Sequence, residues 1–191
     1  LVEQALEKGI GAREILLFAV SRGMDRVGDK SESGEFFLPD MLSAAEAVGV
    51  AMEILEPYLS TDGLKPRGKV VIATVQGDLH DIGKNIVTLM LRGAGYKVSD
   101  LGSDVGAAEI VEEARKTGAD LLGLSALLTT TMPQMQETIE RLKQAGLREK
   151  VKVMVGGAPL SEQFAEDIGA DAYGHDALEA VRIADHLVNE G

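Results

Sequence analysis

From Lys69 onward, short runs rich in β-branched residues alternate with longer amphipathic stretches, and this alternation restricts the fold more tightly than any other feature of the chain. The runs "KVVIATV", "YKVSDL", "ADLLGLS", "VKVMVGG" and "DAYG" read as strands. Between and after them, 83–94, 106–117, 132–145, 161–168 and 176–190 read as helices. Strands separated by helices do not pair as hairpins, so the pattern predicts a parallel sheet covered on both faces. The upstream region is different in kind. Ile15, Leu16, Ala19 and Val20, and again Met41, Leu42, Ala45, Val48, Met52 and Leu55, recur at three- and four-residue spacing, which predicts helices near 2–8, 12–28 and 39–59. Pro39 falls in the first turn of the last of these, where a missing N–H costs nothing. "STDGLKPRGK" gathers turn formers and charge between the two regions. The expected organisation is an all-α helical cap domain over 1–60, a linker over 61–68, and a flavodoxin- or Rossmann-like α/β domain with a five-stranded parallel sheet over 69–191.

Composition narrows the function classes. Apolar residues make up 45% of the 191, enough for a sizeable core and too many for a disordered chain. A net charge of -12 repels phosphate backbones and anionic bilayers, so neither nucleic acid nor membrane is an expected partner. Without cysteine the chain has no disulfide, thiolate nucleophile or cysteine-bound metal, which fits the cytoplasm. No segment approaches the roughly 20 apolar residues of a membrane span, and the N-terminus, which opens on Leu1, lacks a signal-peptide pattern.

In open parallel sheets ligands sit beyond the carboxyl ends of the strands, where strand order reverses. For the order 2-1-3-4-5, the loops at that point are "QGDLHDIG" after the first strand and "SALLTTTM" after the third. Asp78 and His80 lie two residues apart in the first loop, so the carboxylate can hold one imidazole nitrogen while the other points outward. That arrangement suits a general base or a metal ligand. A plainer reading stands beside it, in which Asp78 caps the following helix and His80 is a solvated loop residue. The second loop offers the hydroxyls of Ser125, Thr129, Thr130 and Thr131, none of them on a nucleophile-elbow pattern.

At these residues the sequence resembles the cobalamin-binding proteins of the methyltransferase and mutase type, whose signature is Asp-x-His-x-x-Gly, then Ser-x-Leu, then Gly-Gly. Here the pieces are Asp78-Leu79-His80-Asp81-Ile82-Gly83, Ser125-Ala126-Leu127 and Gly156-Gly157, each at the end of an expected strand. The segment "GMDRVGDKSESGEFFLPDMLSAAEAV" is similar to the helical cap of corrinoid methyl carriers and of the cobalamin-binding module of methionine synthase, so the resemblance covers nearly the whole chain.

The resemblance implies a role for each matched position. His80 replaces the cofactor's own base as the lower axial ligand of cobalt, and Asp78 holds its other nitrogen. Thr131, six positions after Ser125, completes the family's hydrogen-bonded triad, through which a proton is taken up and returned as the imidazole leaves and rejoins the metal. Ser125 bonds the displaced nucleotide tail and Leu127 lines its slot. Asp81, Ile82 and Thr129 count with the cofactor-binding residues, and Gly83, Gly156 and Gly157 admit the tail close to backbone. For Gly156-Gly157 a plain strand-to-loop turn is the alternative. Tyr173 and Gly174 either line the tail pocket or serve as core and turn. Phe37 covers the upper face of the corrin, or else Phe36 and Phe37 staple the helix entry.

The function implied is that of a non-autonomous component of one-carbon metabolism. It binds a cobamide (cobalamin or a related corrinoid) base-off and His-on, and carries methyl on cobalt from a substrate-specific methyltransferase to an acceptor methyltransferase, with a reductive activase as a further partner. The alternatives are the small subunit of an adenosylcobalamin-dependent mutase, which lacks such a cap, a cobalamin-binding sensor, which carries a signalling or DNA-binding domain, and a response-regulator-like module, which leaves the Ser-x-Leu and glycine pieces unexplained. His175 and His186, far along the chain from the motif, read as surface residues.

Overall fold

Five strands, β1 (Lys69–Thr74), β2 (Lys97–Asp100), β3 (Leu121–Ser125), β4 (Lys152–Gly156) and β5 (Ala172–Gly174), pair in parallel in the order β2-β1-β3-β4-β5 in the computed structural model, which describes residues 1–61 and 66–189. The helices between them are α5 (Ile82–Gly93), α6 (Ala107–Thr117), α7 (Pro133–Gln144), α8 (Glu162–Ile168) and α9 (Ala177–Asn189). The Rossmann-like parallel sheet is the one the sequence predicts, and its order is the 2-1-3-4-5 on which the placement of the two loops depended.

Strand alternation divides the sheet into two faces. Val71, Ala73 and Val75, Leu122 and Leu124, and Val153 and Val155 are buried on one face with Ile110 and Ala114 of α6, Met135, Ile139 and Leu142 of α7, and Ala165 and Ile168 of α8. Each large aliphatic side chain so buried contributes roughly 1.5–3 kcal/mol. On the opposite face the last register row runs Thr74, Ser125, Gly156, Gly174 across β1, β3, β4 and β5. Four small residues in one row leave the carboxyl end of that face shallow. Helix α9 packs on β5, β4 and β3, and a Cβ built on Gly174 would sit 3.5 Å from Ala180.

The N-terminal region is helical: α1 (Val2–Glu7), α2 (Ala12–Ile15), α3 (Arg22–Glu32) and α4 (Leu38–Thr61). Helices α1, α2 and α3 each contact α4, whose Val48, Ala51 and Leu55 are buried at helical spacing. The continuous helix expected over 12–28 is instead interrupted by a π-helical stretch, Leu16–Ser21, and then runs on to Glu32. The buried residues explain it: Ile15 and Val20, five apart, are both in the core, while Ala19 faces solvent. A π turn, with its bonds to the fifth residue, holds an extra residue and brings such a pair onto one face. Phe37 caps α4, its N–H donating to Asp40 Oδ2 at 2.9 Å. Its neighbour Phe36 lies under Lys30, whose Nζ is 4.7 Å from the ring centroid.

Packing divides the chain into two units, Leu1–Pro66 with Leu89–Tyr96, and Arg67–Thr88 with Lys97–Gly191. Of the linker expected at 61–68, residues 62–65 lie outside those described, as does the last residue of the helix expected at 176–190. Among the described residues no helix is long and apolar enough to cross a membrane.

Candidate functional site

Strand β1 pairs with β2 on one side and β3 on the other, so the loops after β1, β2 and β3 meet at its carboxyl end. The first loop opens with a turn in which the Asp78 N–H donates to the Val75 carbonyl at 3.1 Å and Gly77 takes φ +83°, the left-handed value that such a turn requires at its third position. The turn aims the Asp78 side chain inward, where it is completely buried.

Both oxygens of that carboxylate are occupied. Oδ2 accepts from the Leu127 amide at 2.8 Å, the Leu128 amide at 3.1 Å and the Thr131 hydroxyl at 2.8 Å. Oδ1 accepts from the His80 amide at 3.0 Å and contacts His80 Nδ1 at 2.8 Å. Burial alone opposes ionisation of Asp78, but the amides of Leu127 and His80, the Thr131 hydroxyl and the imidazole outweigh it and hold the carboxyl well below the usual carboxylate range. An ionised carboxylate only accepts, so the proton of the 2.8 Å contact resides on His80 Nδ1. In the neutral ring the lone pair is therefore on Nε2, which has no partner among the described residues and belongs to a side chain 53% exposed. The His80 carbonyl accepts from the Thr74 hydroxyl at 3.3 Å, which holds the loop from the strand side. The Thr131 hydroxyl has one proton and lies 2.8 Å from both Asp78 Oδ2 and the Leu128 carbonyl, so it donates to one at a time.

The structure thus brings Asp78, His80, Leu127 and Thr131 into one hydrogen-bonded group. Ser125 lies half-buried in the small-residue row, and its hydroxyl makes no hydrogen bond among the described residues. Thr129 is exposed in the third loop, and Asp81 and Ile82 sit at the entry to α5, with Ile82 75% exposed. A Cβ built on Gly83 meets nothing within 4 Å, whereas one on Gly157, at φ +141°, would lie 1.9 Å from the Ala126 carbonyl oxygen. Gly157 is thus required by a close backbone approach, and Gly83 borders open space. Leu79, Ile82, Leu127 and Leu128 are large apolar side chains left exposed at this end of the sheet. Tyr173 is half-buried against the core and Gly174 is buried against α9. Phe37 belongs to the other unit, where it is 68% exposed, so it is not spent as a staple.

His175 stands apart from this group: its Nδ1 is 2.6 Å from Glu179 Oε2 and its Nε2 3.2 Å from Asp176 Oδ2. The hydrogen bond to Glu179, aided by the Asp176 charge, raises its pKa. His186 is exposed on α9.

Three participants were not anticipated from the sequence. The Leu128 amide joins that of Leu127, which no side-chain pattern reveals. Lys84, one turn into α5, is buried, with Nζ 2.5 and 2.6 Å from the two oxygens of Asp100 and 2.6 Å from Asn85 Oδ1. A legible signal existed: Lys84, Thr88 and Leu91 share the buried stripe of α5, and a lysine there demands an anion. Asp104, from the loop after β2, accepts from the Gly77 amide and donates to the Asp78 carbonyl.

Comparison with known proteins places most of the chain in matched families. Residues 68–182 match a family model described as "B12 binding domain", and residues 1–56 match a second with the same description. The chain is 45% identical to dimethylamine corrinoid protein 3 of Methanosarcina acetivorans over 98% of its own length and 89% of that protein's. A solved cobalamin-binding protein from Desulfitobacterium hafniense DCB-2 superposes with a TM-score of 0.80 at 38% identity, covering 97% of this chain and 88% of that one. The methanol:cobalamin methyltransferase complex MtaBC from Methanosarcina barkeri contains a chain that superposes with a TM-score of 0.84 at 33% identity, covering 99% and 72%.

Proposed function

Since this chain belongs to the corrinoid proteins, a family of B12-binding domains, we propose that it binds a cobamide base-off, coordinates the cobalt through His80 Nε2, and carries a methyl group between two methyltransferases. One observation carries the reading: a buried, ionised carboxylate fixes Nδ1 as the protonated nitrogen of a half-exposed ring and leaves Nε2 without a partner among the described residues.

The residues present fit such a group. A single outward imidazole supplies one axial ligand. The row Thr74, Ser125, Gly156, Gly174 lacks bulk where a nucleotide tail needs depth, and the free Ser125 hydroxyl is a hydrogen-bonding group for it. Gly83 borders open space, and exposed Leu79, Ile82, Leu127 and Leu128 offer an apolar rim that a soluble chain seldom leaves bare without a use. Phe37, exposed within its own unit, supplies an aromatic face for the cofactor from the cap, which we assign to 1–60, with the cobalamin-binding domain over 69–191.

When bound, the cobamide supplies a cobalt centre that accepts and releases a one-carbon group; that chemistry belongs to the cofactor. The chain's own part is electrostatic and geometric. Asp78 holds the Nδ1 proton and sets the ring's orientation, which leaves the Nε2 lone pair directed outward. Five donors, the Thr131 hydroxyl among them, hold Asp78 as the anion that orients the ring.

The relatives' names point to methylamine or methanol systems, and we assign as partners a donor-specific methyltransferase, an acceptor methyltransferase and a reductive activase. The absence of cysteine fits a reducing compartment, and this reading places the chain in the cytoplasm. The test is the paramagnetic spectrum of the divalent-cobalt holoprotein prepared with 15N-histidine. Ligation by His80 converts a three-line nitrogen splitting into two lines, and His80→Ala removes it. A nitrogen splitting indifferent to the label would mean that the cofactor's own base occupies the metal, and no nitrogen splitting at all would mean that no base does.

A further inference from the structure

The loop "DLGSDVG", Asp100 to Gly106, contains no residue of the three-part motif, yet it grips the motif loop along its backbone. The Thr74 N–H donates to the Gly102 carbonyl at 2.9 Å, and the Val105 N–H donates to the Thr74 carbonyl at 3.1 Å. Val75 and Val105 form a parallel bridge beyond the end of the strands. Asp104 then reaches further. Its N–H donates to the Asp78 carbonyl at 2.9 Å, and its Oδ1 accepts from the Gly77 N–H at 2.7 Å. Together with the turn bond from the Asp78 N–H to Val75, these two pin the main chain of Gly77 and Asp78 from behind.

Asp104 does this in an unusual conformation. Its φ of 59° is the one positive value at a non-glycine position among the described residues. Aspartate and asparagine tolerate that region better than other side chains, and it is there that a single residue can offer its N–H and its side-chain oxygen to two consecutive residues. Its carboxylate is at an exposed position, so burial does not force the bond to Gly77. The bond's consequence lies at Asp78, whose side chain sets the direction of the His80 ring two residues on.

We propose that Asp104 is a positioning residue for the axial ligand: it fixes the Gly77–Asp78 main chain, hence the Asp78 carboxylate, hence the direction in which His80 Nε2 points. The inference rests on His80 being the ligand, and it assigns the loop after β2 a role in the site that no motif residue signals.

Three substitutions separate the contributions. Asp104→Asn keeps the tolerance for positive φ and a side-chain oxygen for Gly77. Asp104→Gly keeps the φ and loses the oxygen. Asp104→Ala loses both. The first readout is amide exchange at Gly77 in the cofactor-free protein, and the second is the fraction of divalent cobalt that shows histidine nitrogen coupling at fixed neutral pH. With Asn, both stay at wild-type level. With Gly, exchange at Gly77 accelerates about three- to tenfold, the scale of one lost hydrogen bond, and the coordinated fraction falls. With Ala the fall is larger; should that variant not fold, the Gly variant, which carries no backbone strain, decides. A coordinated fraction in Asp104→Gly equal to wild type, or an equal loss in Asn and Gly, overturns the proposal. Absence of histidine coupling in the wild-type protein would instead overturn the ligation itself, and Gly77 exchange would then decide alone whether Asp104 holds the loop.

Discussion

Asp78 is an anion kept charged out of water by amides, a hydroxyl and an imidazole N–H. Its carboxyl pKa is depressed in the fold, so the carboxylate stabilises the protein at pH values above the unfolded value of 3.8, and that contribution is lost as pH falls below it toward the folded value. Asp78→Asn replaces one oxygen by NH2, which must face either the Leu127, Leu128 and Thr131 donors or the protonated His80 Nδ1. Denaturant titration at pH 7 should show a loss of about 1–3 kcal/mol, the cost of opposed buried donors. The gap between variant and wild type should narrow between about pH 4 and pH 2, as the wild type surrenders its charge. A gap of constant size across that range would mean that charge is not what the cradle stabilises.

Two glycines of the motif, placed on different elements, have opposite expected behaviour. At Gly157, beyond β4, a Cβ would lie 1.9 Å from the backbone oxygen of Ala126 at a φ of +141°, so Gly157→Ala should cost at least ~2 kcal/mol in thermal unfolding through clash and strain. At Gly83, in the first turn of α5, nothing lies within 4 Å, and Gly83→Ala should leave stability unchanged or raise it by up to ~1 kcal/mol. Its cost should appear instead as weaker cobamide binding, measured by titration of the cofactor-free protein. Undiminished affinity in that variant would remove Gly83 from the binding surface. Among helices, the π-helical stretch at Leu16–Ser21 shows how a pattern can mislead: Ile15, Leu16, Ala19 and Val20 fit a regular α-helix on paper, and only the burial of Ile15 with Val20 selects the wider turn.

At the scale of the molecule the two units are interleaved along the chain, because Leu89–Tyr96, the end of α5 and the turn after it, groups with Leu1–Pro66. A boundary drawn in the linker is therefore not a clean cut. A chain beginning at Arg67 keeps residues 89–96 without the rest of their unit. Amide exchange over that segment should accelerate by more than tenfold relative to the full chain, a loss of over about 1.4 kcal/mol of local stability, while the amides of β1 and β3 keep their protection. Equal protection in the two chains would show that the segment owes nothing to residues 1–66.

Strand and helix identities and the parallel sheet were legible in the sequence, because burial on both faces of a sheet writes itself as short β-branched runs between amphipathic ones; the strand order was a supposition that the structure bears out. The placement of Asp78 and His80 in the loop after the first strand was legible too, whereas Thr131 was one of four hydroxyls in the loop after the third and was singled out only by the family resemblance. What the tertiary structure alone decided is how those groups are held. The Leu127 and Leu128 amides that charge Asp78, the Asp100 that meets Lys84 and the Asp104 that grips Gly77 come from other strands and loops of the chain. A main-chain N–H is the same at every residue but proline, so no side-chain pattern announces which amide a carboxylate will meet; only the packing of parallel strands in register brings them together.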